Sequence, residues 1–175
     1  MTTIRTRPEP ESAESRRVQE EIRAASGLRQ LAALRRRYPD VAEAWLESAF
    51  ALDRLGREDE AIPLYEQAIR LGLDGSALRD ALICLGSSLR TVGRAREALR
   101  RFQQARRRFP RDVVVELFLA LGYHDTRQPT DALRLTALAC LRESGDSGLA
   151  PFRDVLKRKF RTLGKNGHAT ARSGL

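Results

Sequence analysis

The sequence predicts an all-α fold, a solenoid of about three helix pairs with a further helix capping each end. Three observations carry that expectation. Apolar residues recur at i, i+3, i+4 and i+7 through most of the chain, and strand-like alternation is scarce. The breaks between periodic segments are short and hold helix-stopping residues: Gly56, Gly72, Gly75, Gly93, Pro110, Pro129 and Gly145. Turns that short leave no chain for a crossover, so neighbouring helices run antiparallel. The chain also repeats itself. Leu52 to Ile62 and Leu89 to Leu99 share a Gly-Arg-x-x-Glu-Ala turn, followed by an aromatic (Tyr65 or Phe102) and an alanine (Ala68 or Ala105). Ala61 and Ala98 are 37 residues apart, and Ala132 follows 34 later.

Each element has its own sequence reason. Residues 1–14 are polar and carry Pro8 and Pro10, which predicts a flexible N-terminus. A helix is expected over 15–38, with Leu28, Leu31 and Leu34 on one face and Pro39 ending it. The helix pairs then occupy about 40–73, 77–110 and 111–144. Small residues (Ala49, Ala61, Gly86, Ala98, Ala120, Ala132) stand where helices must approach closely, and Trp45, Tyr65 and Phe102 fill the gaps between pairs. A last helix over 147–163 starts from a cap at Asp146 or Ser147 and has Leu149, Phe152, Leu156, Phe160 and Leu163 on its apolar face. Residues 164–175 are small, polar and basic, and are expected to be disordered. The segment 15–163 therefore reads as a single domain.

A period near 34 with paired helices is the signature of tetratricopeptide repeats, and the residues resemble that family in register. Leu82, Leu85, Gly86, Leu89, Gly93, Ala98, Phe102, Ala105 and Pro110 match in the second repeat. Trp45, Ala49, Leu52, Gly56, Ala61, Tyr65 and Ala68 match in the first, with a three-residue insertion around Leu73 to Ser76. The third repeat matches at Leu119, Ala120, Tyr123, Ala132 and Ala139, but Arg127 replaces the turn glycine and Thr136 the aromatic. The wording of Phe50 to Arg57 and Leu85 to Arg90 is also similar to a bacterial family of small stand-alone proteins of this kind. The resemblance implies a right-handed superhelix, and a protein-interaction module or scaffold that binds a partner peptide or protein segment in its concave groove. The groove positions it implies are Leu46, Phe50, Asp53 and Arg54, then Ile83, Ser87, Arg90 and Thr91, then Leu117, Leu121, His124 and Asp125. Phe50 and the aliphatics would form an apolar floor, with Arg54 and Arg90 offering forked donors to carboxylates or carbonyls. The set of Lys, Asn and Arg side chains by which some relatives grip an acidic chaperone C-terminus is missing, since Leu46, Phe50, Cys84, Val114 and Phe118 stand there.

Composition narrows the function classes. Aromatics at 6% argue against stacking platforms for single-stranded nucleic acid. The formal charge of +9, carried almost wholly by arginine, leaves binding of nucleic acid or another anionic polymer as an alternative. Its candidate cations are Arg35 to Arg37, Arg100 and Arg101, Arg106 to Arg108 with Arg111, and Lys157 to Lys159 with Arg161. For the first and third clusters, cations at a helix C-terminus also complement the helix dipole. Self-association through an uncapped solenoid end is a third possibility.

No catalytic motif is legible. His124 and His168 are the two histidines and have no metal-ligand spacing. Cys84 and Cys140 lack a C-x-x-C pattern and fall in apolar helical runs, as buried thiols of a reducing compartment do. Gly86-Ser87-Ser88 lies mid-helix, without the strand-to-helix elbow a serine nucleophile uses. The expectation is a cytoplasmic protein that is not an enzyme and takes no cofactor or metal. No apolar N-terminal leader and no membrane-length apolar run is present.

Overall fold

The computed structural model describes residues 13–25 and 27–164. The segments expected to be flexible (1–14) and disordered (164–175) lie, apart from 13, 14 and 164, outside the described residues. Within the described residues every regular element is helical: α1 (Ala13–Ala24), α2 (Leu28–Arg37), α3 (Ala42–Asp53), α4 (Glu58–Arg70), α5 (Gly75–Thr91), α6 (Ala95–Arg108), α7 (Val113–Asp125), α8 (Pro129–Glu143), a 3-10 segment (Ser147–Phe152) and α9 (Arg153–Thr162).

The helices pair as α3 with α4, α5 with α6 and α7 with α8, and each pair stacks on the last through α4–α5 and α6–α7 contacts. This is an all-α repeat solenoid. Its core runs through the stack as Leu46, Ala49, Tyr65, Leu82, Leu85, Leu89, Phe102, Ala105, Val115 and Leu119. The repeated Gly-Arg-x-x-Glu turn has a local explanation. Arg57 closes a two-pronged hydrogen bond on Glu60, both prongs at 2.7 Å, and Arg94 does the same on Glu97 at 2.7 and 2.8 Å. Each arginine precedes its helix and each glutamate sits in the first turn, where negative charge is favoured. Both carboxyls are held below their ordinary range by those guanidinium contacts.

Two of the polar ties between pairs each centre on a single carboxylate with two partners. Asp53 accepts from Tyr65 Oη (2.9 Å) and Ser88 Oγ (2.7 Å), joining α3, α4 and α5. Glu116 of α7 lies between Arg106 of α6 (2.9 Å) and Arg142 of α8 (2.8 Å). The Arg142 contact is an ion pair by distance, although its direction is not that of a hydrogen bond.

At both ends the chain departs from the expected single helices. The helix predicted over 15–38 is two helices, because the chain leaves α1 before Gly27, which is extended (φ −136°, ψ 152°). Glycine is a poor helix-interior residue and a natural break point. Val18 and Ile22 of α1 then pack on Ala44 of α3. The helix predicted over 147–163 begins instead as the 3-10 segment around Pro151, and α9 starts only at Arg153. Asp146 does cap that segment, accepting from the Gly148 N–H at 2.7 Å.

Candidate functional site

The first helices of the three pairs, α3, α5 and α7, contribute three columns of equivalent residues, counted back from the turn residues Gly56, Gly93 and Arg127. The column nearest the turn is Arg54, Thr91 and Asp125. The next is Asp53, Arg90 and His124, followed one turn back by Phe50, Ser87 and Leu121. These columns make a polar ridge with apolar residues behind it.

The ridge is already partly committed to internal contacts. Asp53 is spent on the Tyr65 and Ser88 hydroxyls. Arg90 pairs with Asp125 across the α5–α7 gap, with about a quarter of each side chain exposed (26% and 25%). The Arg90 hydrogen bond, and after it the His124 contact, holds the Asp125 carboxyl below its ordinary range against the opposing effect of burial. Thr91 is exposed and donates to the Ser87 carbonyl at 3.3 Å. Arg54 is exposed, and His124 has 75% of its side chain in solvent, with Nδ1 3.4 Å from Asp125. Phe50 is half-buried, edge-on to Tyr65 at 5.6 Å.

Two of the predicted groove residues are not on the surface. Leu46 and Ile83 are 4% and 6% exposed and belong to the core, Leu46 lying in one hollow with Ile22 of α1 and Ala77 of α5. Leu117, their equivalent in the third repeat, is 42% exposed, as is Leu121 at 43%. Both border an open apolar cavity of about 510 Å³ whose other walls include Ala132, Leu133 and Thr136 of α8. The α8 residues are not among the groove positions expected from the sequence, which all fall on first helices. The signal was available: Thr136 stands in the slot that Tyr65 and Phe102 fill.

The other singled-out residues fall as follows. Burial, and after it the Asp53 carboxylate, pushes the Cys84 thiol up to about 11, so it stays protonated and weakly nucleophilic near neutrality. Cys140, expected on a packing face, is exposed on α8 because no helix covers its row. Several arginines of the basic clusters hold internal partners: Arg37 with Glu21 (3.2 Å), Arg101 with Glu66 (3.0 Å), Arg106 with Glu116 (2.9 Å), and Arg35 over the Trp45 ring at 5.3 Å. Among the described residues no cluster of His, Cys, Asp and Glu has the grouping to hold a metal ion, and no helix is long and apolar enough to cross a membrane.

The family model described as tetratrico peptide repeat matches residues 42–144, more than half the chain. The chain belongs to the tetratricopeptide-repeat family. Solved structures agree on the fold of this TPR chain. A MamA double mutant is similar at TM-score 0.55 and 18% identity, covering 83% of this chain and 91% of its own. YrrB, described as a TPR protein with an unusual peptide-binding site, is similar at TM-score 0.51 and 16% identity, covering 87% and 82%. No curated protein matches the TPR chain. As a TPR protein it is built as an interaction scaffold.

Proposed function

We propose that this TPR chain is a non-catalytic, cytoplasmic interaction module that takes a partner peptide or protein segment along the concave ridge of α3, α5 and α7. The observation that carries the reading is the three-column register. Arg54, Thr91 and His124 stay exposed at the C-terminal ends of the three first helices. An extended segment crossing the three pairs would meet a forked donor at Arg54, a hydroxyl at Thr91 and an imidazole at His124. Its apolar side chains would rest on Phe50 and Leu121. Because Arg90 is neutralised by Asp125, Arg54 is the ridge guanidinium better placed to receive a carboxylate or carbonyl.

The test is affinity capture from native lysate with the wild type beside Arg54→Glu and Thr91→Arg, both exposed positions. The same bound protein should be recovered by the wild type and lost by both variants, with thermal midpoints unchanged. Recovery by all three would remove the ridge assignment. The polyanion alternative has less support, since many of its arginines already hold carboxylates or rings within the fold. It predicts binding to duplex DNA that falls steeply with log[salt] and ignores Arg54→Glu.

A further inference from the structure

The stacking of the first two repeats shows what covers the surface that the third leaves open. One position of the first helix and two of the second form an equivalent set in each repeat: Leu46, Ile62 and Tyr65, then Ile83, Leu99 and Phe102, all within or packed against the core where α4 meets α5 and α6 meets α7. The equivalent set in the third repeat is Leu117, Leu133 and Thr136. Leu117 and Leu133 are 42% and 54% exposed, whereas Leu46 and Ile62 are 4% each. Among the described residues, the third repeat thus keeps apolar stacking residues with no helix on top of them.

α9 does not fill that seat. It runs antiparallel to α8 along the neighbouring row. Arg134 donates to the Leu163 carbonyl at 3.3 Å, Arg153 donates to the carbonyls of Leu141 and Ser144, and Gly164 lies against Thr130. The offset shows at Cys140, which is exposed, whereas its equivalent Arg106 is covered by Glu116 of α7. The cavity walls accordingly come from α7 and α8, with nothing from α9.

Charge and shape then select the occupant. The chain after Gly164 has a single large apolar residue, Leu175, and no apolar stripe. The opposite end of a second copy is also unsuited. Its α1 has buried Val18 and Ile22 against Ala44 and turns the charged, exposed Arg16, Arg17, Glu20 and Arg23 outward. Two open ends face to face would bring together two α9 helices, each with five cations against the single carboxylate Asp154. The same cations favour an acidic visitor. Lys159 and Arg161 lie in the half of α9 that ends beside Thr130, and the exposed Arg127 sits in the turn just before α8.

We propose that the α7–α8 end face seats an amphipathic helix of a partner protein, with an aliphatic stripe like that of α5 and carboxylates on its flank, as a substitute fourth-repeat helix. This site adjoins the concave ridge, sharing Leu121 and His124 with it, but its stacking residues Leu117, Leu133 and Thr136 lie outside the ridge columns, so it would stand if the ridge reading fell. A labelled synthetic peptide with the α5 sequence (residues 75–91), carrying Arg79→Glu and Arg90→Glu, is the probe. It should bind the full chain, gain helicity on binding, and bind more weakly as salt rises. The peptide with both arginines retained should bind at least about tenfold more weakly. Leu133→Asp and Leu117→Asp in the full chain should each weaken the acidic peptide by about tenfold or more, with unchanged far-UV circular dichroism. Arg54→Glu should leave it unaffected, which keeps this test apart from that of the ridge. No binding, equal binding of both peptides, or indifference to Leu133→Asp would overturn the proposal. So would a concentration-dependent dimer abolished by Leu133→Asp, which would put a second copy in the seat.

Discussion

The ring of Phe102 occupies the space that any side chain at Gly86 would need. A Cβ at Gly86 would meet Phe102 Cε1 at 2.3 Å, and one at Gly122 would meet Cδ2 at 2.9 Å. The fully buried ring is therefore wedged between the first helices of two successive repeats, and the glycines set how closely those helices approach.

Gly86→Ala should destabilise the protein. In an open helix the change gains about 1 kcal/mol of propensity, whereas overpacking a filled core costs about 1–3 kcal/mol. The contact is close and the ring has no solvent to move into, so a net loss of about 2 kcal/mol is expected by chemical denaturation. Gly122→Ala should lose less. Adding Phe102→Leu to Gly86→Ala should recover much of the loss, which would identify the ring as the obstacle.

Arg127→Gly should stabilise it. Gly56, Gly93 and Arg127 end α3, α5 and α7 in the left-handed region, at φ of 68°, 79° and 62°. The same two hydrogen bonds close all three ends, including Arg57 N–H to Leu52, Arg94 N–H to Leu89 and Gln128 N–H to Tyr123 at 3.0, 2.8 and 2.8 Å. An L-residue in that conformation costs about 1–2 kcal/mol, offset by the extra unfolded-state freedom of glycine. A gain of about 0.5–1 kcal/mol is expected, or a rise of about 1–4 °C in Tm. An unchanged or lower midpoint would mean that the Arg127 side chain contributes more than its backbone costs.

The fold was legible in the sequence because its determinants are local and repeated. The glycine turns, the Arg-Glu pairs behind them and the Tyr65/Phe102 slot each leave a mark at a fixed spacing. The site was less legible, because exposure depends on what lies above a residue. Leu46, Ile83 and Leu117 share one repeat position and are all aliphatic, yet only Leu117 is exposed, at 42%. The break at Gly27 was hidden by the alanines before it, which suit a continuous helix. The offset of α9 by one row follows from the 3-10 segment around Pro151, which apolar periodicity alone does not reveal.

The Arg90–Asp125 pair predicts a pH dependence. Asp125 has a lowered folded-state pKa, so its contribution is fully present above the ordinary aspartate value of about 3.9 and is lost as pH falls through the lowered value. With a quarter of each side chain exposed, solvent screening limits the contribution to about 0.5–1 kcal/mol. Stabilities of the wild type and Asp125→Asn from urea unfolding should differ by that amount at neutral pH and converge in strong acid. A gap that persists in acid would show that the aspartate acts through packing and not through its charge.

Glu116 offers the sharpest test of what the buried polar tie contributes. It stands in the repeat column that holds Trp45 and Leu82, so the third repeat has a carboxylate, 3% exposed, where the others have a large apolar side chain. Removing it alone leaves Arg106 and Arg142 facing each other across a buried gap. Glu116→Ala should therefore cost about 3 kcal/mol, the low end for a broken buried pair, because both arginines keep a quarter to a third of their side chains in water (33% and 25%). Replacing all three charges together, as Glu116→Leu with Arg106→Met and Arg142→Met, should recover most of that loss, since no charge then remains to be desolvated. If the triple variant is instead as unstable as Glu116→Ala, the triad is a true source of stability at the α6–α7–α8 junction. If it is stable but loses sharp thermal unfolding, the triad fixes the register in which α7 meets α6 and α8.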